Sequence, residues 1–277
     1  MSSYEKKIPM NQNPASSHDS WVAQQAAKIV SEDEKITLIH TPSSQRLSDI
    51  FRLVRILSRA FLRYPRACVK ALLYSLDIKA LDDRSADYEP KDASLKKIFG
   101  LFKDGSLPLK GDLVLANEER WNDYLIMAHL FALRLKEQLA DEEDIITKAR
   151  WGLAHGVYNA IVHGDPSCPI RVHWQILPEE FRLQIANTKN EERMKPHNVS
   201  FNGIPISGVG GSLVIMRILF DYFNLSEVIN AKQEEEIRLT LIHRRSRKRA
   251  SLRYTMAVRI AHARDTIQLE RIWRKKR

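Results

Sequence analysis

Two short segments hold most of the residues whose types and spacing could do chemistry. The first is HGVYNAIVHGDP, in which His155, Asn159 and His163 stand at i, i+4 and i+8. On a helix that spacing puts all three side chains on one face. An Asn there can hold a hydrated magnesium ion or donate to phosphate oxygens, and a neutral imidazole at His155 can accept a proton. The second is Gly208-Val209-Gly210-Gly211-Ser212-Leu213. Its glycines let backbone approach a phosphate, and a helix beginning there would offer free N–H groups and positive potential.

Other candidates have plainer readings. A metal site made from two histidines and Asp165 lacks further ligands of suitable spacing. His173 and Trp174 fall in an alternating run and read as packing or surface. Cys168 follows a turn with no histidine partner and reads as an inert thiol. Lys195 and His197, in the stretch 190–207, are placed to touch phosphate if that stretch is a lid; a plain surface loop is the other reading.

The elements that must position these residues become orderly from about residue 110. GDLVLA reads as a strand and 118–140 as an amphipathic helix. A second helix, 142–163, has Asp141, Glu142, Glu143 and Asp144 at its start, which suits the positive helix end. Gly164-Asp165-Pro166 stops it. IRVHWQILP and EFRLQIANT alternate and are joined by a polar turn, as in a hairpin. SLVIMRILFDYF reads as a helix and EEIRLTLIHRR as a last strand. Helices covering one face of a mixed or antiparallel sheet make an α+β two-layer sandwich.

Motifs in this order resemble the gyrase, chaperone, histidine-kinase and mismatch-repair (GHKL) ATPases, within which the anti-sigma-factor serine kinases are most similar. The family's N-box, E-x-x-x-N-A-x-x-H-G, reads here from His155 through Asn159 and Ala160 to His163-Gly164. Its adenine motif, D-x-G-x-G, falls on Asn187-Thr188-Lys189-Asn190-Glu191, and its lid motif, G-x-G-x-G-L, on Gly208 to Leu213. The resemblance covers about half the chain. It implies a Bergerat-type sandwich over 108–245, with ATP and Mg²⁺ as cofactors. Asn159 would hold the magnesium ion, and Asn187, Gly208, Gly210, Gly211, Ser212 and Leu213 would line the nucleotide. It also implies a sigma-factor or anti-anti-sigma type of protein partner, and homodimerisation, which is frequent among such kinases. His155 stands where the family has its glutamate base, Asn187 where it has the adenine-reading aspartate, and Lys189 and Glu191 where it has glycines. The expectation is an ATP-binding regulatory protein with weak or no protein-kinase or ATPase turnover, acting by partner binding. Its competitor is a scaffold that keeps the fold and binds no nucleotide.

Composition sets the frame. The chain has 277 residues, 44% of them hydrophobic and 28% charged, which suits one or two globular domains and excludes collagen and low-complexity classes. Cys68 and Cys168 are its only cysteines, so a disulfide scaffold is excluded and a reducing, cytoplasmic setting is expected. No apolar run is long enough for a membrane helix, and the N-terminus lacks the apolar segment of a secretory signal. The net charge of +10 is uneven: residues 244–277 hold 13 Lys or Arg against Asp265 and Glu270, a net of +11, leaving about −1 elsewhere. That basic tail, 246–277, reads either as a solvated helix or as a binder of nucleic acid or an acidic partner, with Tyr254 and Trp273 available to stack on bases. Residues 1–35 read as disordered and 36–107 as a mostly helical region, with 80–110 as a linker. In 46–77, broken near Pro65, Phe51, Val54, Leu57, Phe61 and Leu62 recur at helical spacing beside Arg52, Arg55, Arg59, Arg63 and Arg66. That pattern reads as a core helix with snorkelling arginines, or else as a face for a partner or lipid surface.

Overall fold

The computed structural model describes residues 36–40, 51, 54, 55, 58, 62, 85, 87–104, 107–118, 120–139, 145–190, 199–201, 204–206, 211–230, 233–245 and 252–275. Met1–Ile36 and Thr37–Arg277 are separate compact units, and the account below concerns the second. The expected disorder of 1–35 lies outside the described residues.

The described elements run in the order β1 (Ile36–His40), α1 (Ala93–Asp104), β2 (Lys110–Leu115), α2 (Trp121–Gln138), α3 (Ile145–His163), β3 (Ile170–Ile176), β4 (Glu180–Thr188), β5 (Val199–Phe201), β6 (Ile204–Ile206), α4 (Gly211–Leu219), β7 (Tyr222–Ile229), β8 (Glu235–Arg244) and α5 (Leu252–Lys275). The fold is α+β. Six strands form one sheet in the order β1-β7-β8-β4-β3-β2, and β5 and β6 pair apart from it. The expectation allowed a mixed sheet, but the five strands from β2 to β7 pair antiparallel throughout. The hairpin expected around residue 178 is β3–β4, with Ile176 opposite Phe181 and Arg171 opposite Ala186. At the β2–β3 pairing, Gly111 sits opposite Trp174, whose indole covers it and donates from Nε1 to the Pro108 carbonyl at 2.9 Å.

Helix α3 lies in the interior of this unit. Ile145 and every residue from Thr147 to Val157 are buried, as befits a helix covered on all sides. Gly152 and Gly156 turn towards the sheet, where a Cβ would meet the Phe220 ring and Leu241 in one case and Ile185 in the other. The missing side chains let helix and sheet approach closely. Arg150 lies round the helix from those glycines and reaches Asp265 on α5.

Three expectations change here. The stretch 80–110 is no simple linker: α1 packs its Phe99 and Phe102 into the core, Phe102 edge-on to Phe131 and Trp174. The helix read through SLVIMRILFDYF ends at Leu219, and Tyr222 begins a strand. Asp221 is the reason for the break, because its Oδ2 accepts from the Arg244 amide at 2.8 Å and fixes β7 beside β8. Finally, the C-terminal segment is not a solvated helix. In α5, Tyr254, Ala257, Ile260, Ala261, Asp265, Leu269 and Ile272 are buried. Tyr254 is therefore withdrawn from any stacking on bases, while the side chain of Trp273 lies outside the described residues. Among the described residues, no helix is long and apolar enough to cross a membrane.

Candidate functional site

The candidate residues sit along α3 and at its C-terminal end. Asn159 is half-buried on the last turns of the helix, and its amide Nδ2 is shut from solvent with no hydrogen-bond partner among the described residues. Unlike an exposed amide, such a donor carries the cost of its lost hydration until something accepts from it. Just beyond, α3 stops against the end of β4. Gly164 bonds back to the Ala160 carbonyl at 2.8 Å and bridges to Lys189, while the Asp165 amide donates to the Thr188 carbonyl at 3.0 Å. A Cβ on Gly164 would lie 2.4 Å from Asn187 Nδ2, so glycine permits this closure. Asn187 is buried, and its Nδ2 donates to the Thr188 carbonyl at 3.2 Å, which leaves the side-chain oxygen as its acceptor. The structure thus brings the end of the first motif against the start of the second.

The third motif is partly described. Gly208 and Gly210 lie outside the described residues, as do Glu191, Lys195 and His197. Gly211 begins α4, the Ser212 carbonyl accepts from Trp151 Nε1 at 3.2 Å, and half-buried Leu213 packs on the core. The start of α4 is therefore tied to α3 two turns before Asn159. Part of the stretch read as a lid, 190–207, is the small β5–β6 hairpin.

His155 has a different setting from the one its position suggested. It is buried, and its Nε2 lies 3.2 Å from Asp265 Oδ1 on α5. The other carboxylate oxygen, Oδ2, accepts from Arg150 Nε at 2.7 Å, and Arg150 Nη1 meets His129 Nδ1 at 3.2 Å. Burial raises the pKa of the Asp265 carboxyl, but the Arg150 charge and the His155 contact outweigh it and hold the group below its ordinary range. An ionised carboxylate only accepts, so the His155 proton on this contact is on Nε2. A guanidinium only donates, so His129 Nδ1 is an acceptor. The Trp151 ring stacks on His155 at 3.7 Å, and Trp121 lies at 5.1 Å while also meeting Tyr158 edge-on. A second buried group lies nearer the start of α3. Lys148 Nζ is 3.5 Å from His243 Nδ1 and 5.2 Å from the centre of the Tyr254 ring, and His243 is 3.5 Å from Asp221.

Asp265 is the residue that sequence reasoning missed. One of two acids among 13 cations looks like ordinary surface charge. The available signal was its position at the alanine-bearing, apolar side of the segment, four residues after Ala261 and four before Leu269.

Several minor readings have definite outcomes. Lys189, which stands in place of a glycine of the adenine motif, pairs with Glu235 at 3.0 Å and Glu227 at 3.4 Å. His173 is bonded to Asp112 at 2.7 Å, and Trp174 is buried in the core. Cys168 is a half-buried free thiol. Among the described residues, no group of three His, Cys, Asp or Glu side chains is placed to hold a metal ion. A small, open depression bordered by Asp92, Ser94, Arg120 and Tyr124 lies between α1, β2 and the start of α2. None of the three motifs contributes to it.

No family model matches the chain, and no curated protein matches it.

Proposed function

We propose that the chain is a regulatory protein that binds ATP with Mg²⁺ at the C-terminal end of α3 and acts by contacting a protein partner, with little or no phosphoryl transfer. The observation that carries this reading is the unpartnered, solvent-shielded amide of Asn159, beside the closure made by Gly164 and Asn187. These residues fit a nucleotide. Asn159 would donate to a phosphate oxygen or hold the magnesium ion's shell, Asn187 would accept from the adenine amino group, and the start of α4 would face the phosphates. Bound ATP would supply a transferable phosphoryl group, and the chain's own residues favour holding it over using it. His155, at the place of a general base, donates to Asp265 and is covered by two indoles, so it is poorly placed to take a proton from an attacking group. The partner is by resemblance of the sigma-factor or anti-anti-sigma type.

Calorimetric titration with ATP and Mg²⁺ tests the site. The intact chain should bind saturably, and Asn159→Ala should weaken binding about tenfold or more, the loss of one hydrogen bond to a charged group. Equal affinity in the variant overturns the assignment. A second reading is a scaffold that binds no nucleotide, and the engagement of Lys189 by Glu227 and Glu235 favours it. Absence of heat in the intact chain would select it.

A further inference from the structure

The helical residues Phe51, Val54, Arg55, Ser58 and Leu62 are all exposed, Phe51 by 73%, Val54 by 46% and Leu62 by 84%. This departs from a core-helix reading of the segment: among the described residues nothing buries these apolar side chains. Their spacing of three, four, seven and eleven residues puts them on one side of a helix. Three large apolar groups on one exposed stripe are costly in water and mark a surface that something covers.

The charge around the stripe says what covers it. Between Asp49 and Asp77 the sequence has no acidic residue, while it holds Arg52, Arg55, Arg59, Arg63, Arg66 and Lys70. An exposed apolar stripe in a stretch of sequence rich in cations and free of acids is complementary to a bilayer whose headgroups are anionic: apolar side chains enter the acyl boundary while cations meet phosphate and carboxylate groups. A nucleic acid would be served by the cations but would leave Phe51 and Leu62 in water. With no helix among the described residues long and apolar enough to span, the segment would lie in the interface plane. We propose that the helical stripe through Phe51, Val54 and Leu62 docks the protein on an anionic lipid surface.

Flotation of the full chain with vesicles tests this. The chain should float with vesicles of phosphatidylcholine and phosphatidylserine, less so as salt rises, and not with phosphatidylcholine alone. The double variant Phe51→Ser, Leu62→Ser should lose about a hundredfold in partitioning, the loss of two large buried apolar groups. Arg55→Glu should lose about tenfold. Because Phe51 and Leu62 are exposed, the double variant should melt as the parent does, and circular dichroism checks that for each variant. Three results would overturn the proposal: undiminished flotation of the double variant, equal flotation with uncharged vesicles, or a chain that never floats. In the last case, conversion of a dimer to a monomer by the double variant in sedimentation would assign the stripe to a second copy. Loss of binding to an acidic protein would assign it to such a partner.

Discussion

Arg150, His155 and Asp265 are all buried, and Arg150 and His155 are both compensated by the Asp265 carboxylate. Desolvating an ion costs several kcal/mol, and close pairing recovers most of that only while both partners are present. Asp265→Ala leaves the Arg150 guanidinium buried without its carboxylate. It should destabilise the fold by about 3–5 kcal/mol, read from urea denaturation. A change within about 0.5 kcal/mol, ordinary for a surface acid, would show that the cluster does not hold α5 in place. The types and spacing of His155 and Asn159 were legible in the sequence, as was the helix that carries them. What they touch was not, because the group that decides the role of His155 comes from a helix 110 residues away.

Elements show the same division. The β3–β4 hairpin and helices α2 and α3 follow from alternation and helical periodicity, which are local. The β7 strand was illegible because the apolar run through Phe220 to Phe223 suits a helix as well as a strand, and distant bonds decide between them: the Arg244 amide donates to Asp221 and β7 pairs along β8. Helix α1 was hidden by charged, turn-like flanks, and its Phe99 and Phe102 acquire meaning only beside α2 and Trp174. At the β2–β3 pairing the sheet depends on a glycine. A Cβ at Gly111 would come within 2.1 Å of the Trp174 ring, which is buried and tethered to Pro108. Gly111→Ala should therefore cost about 1–3 kcal/mol, although alanine is no worse than glycine in an ordinary strand. A thermal melt unchanged from the parent would mean the indole can swing aside.

For the molecule as a whole, α5 closes the α-layer rather than trailing from it, and the acid response should report that closure. The carboxyl of Asp265 titrates below its ordinary 3.8 in the folded chain, so the unfolded chain takes up that proton first. Its contribution is intact above about pH 4 and is lost as pH falls through the folded value. His262, also on α5, is pushed below 6.5 chiefly by burial and then by the Arg150 charge. Here too the unfolded chain binds the proton first, so stability should start to decline once pH drops under about 6.5. The urea midpoint should be flat from neutrality to that point, fall gently below it and fall steeply under about pH 4. A midpoint that rises on acidification would contradict the arrangement. The distance along the chain between α3 and Asp265 also has a consequence for how the protein is made. At synthesis rates of about 5–20 residues per second, Arg150 and His155 leave the ribosome roughly 5–20 s before the carboxylate that neutralises them. During that interval the body can collapse only with two unmatched polar groups inside or with α3 held open, so the nascent chain presents its central helix to chaperones until α5 arrives.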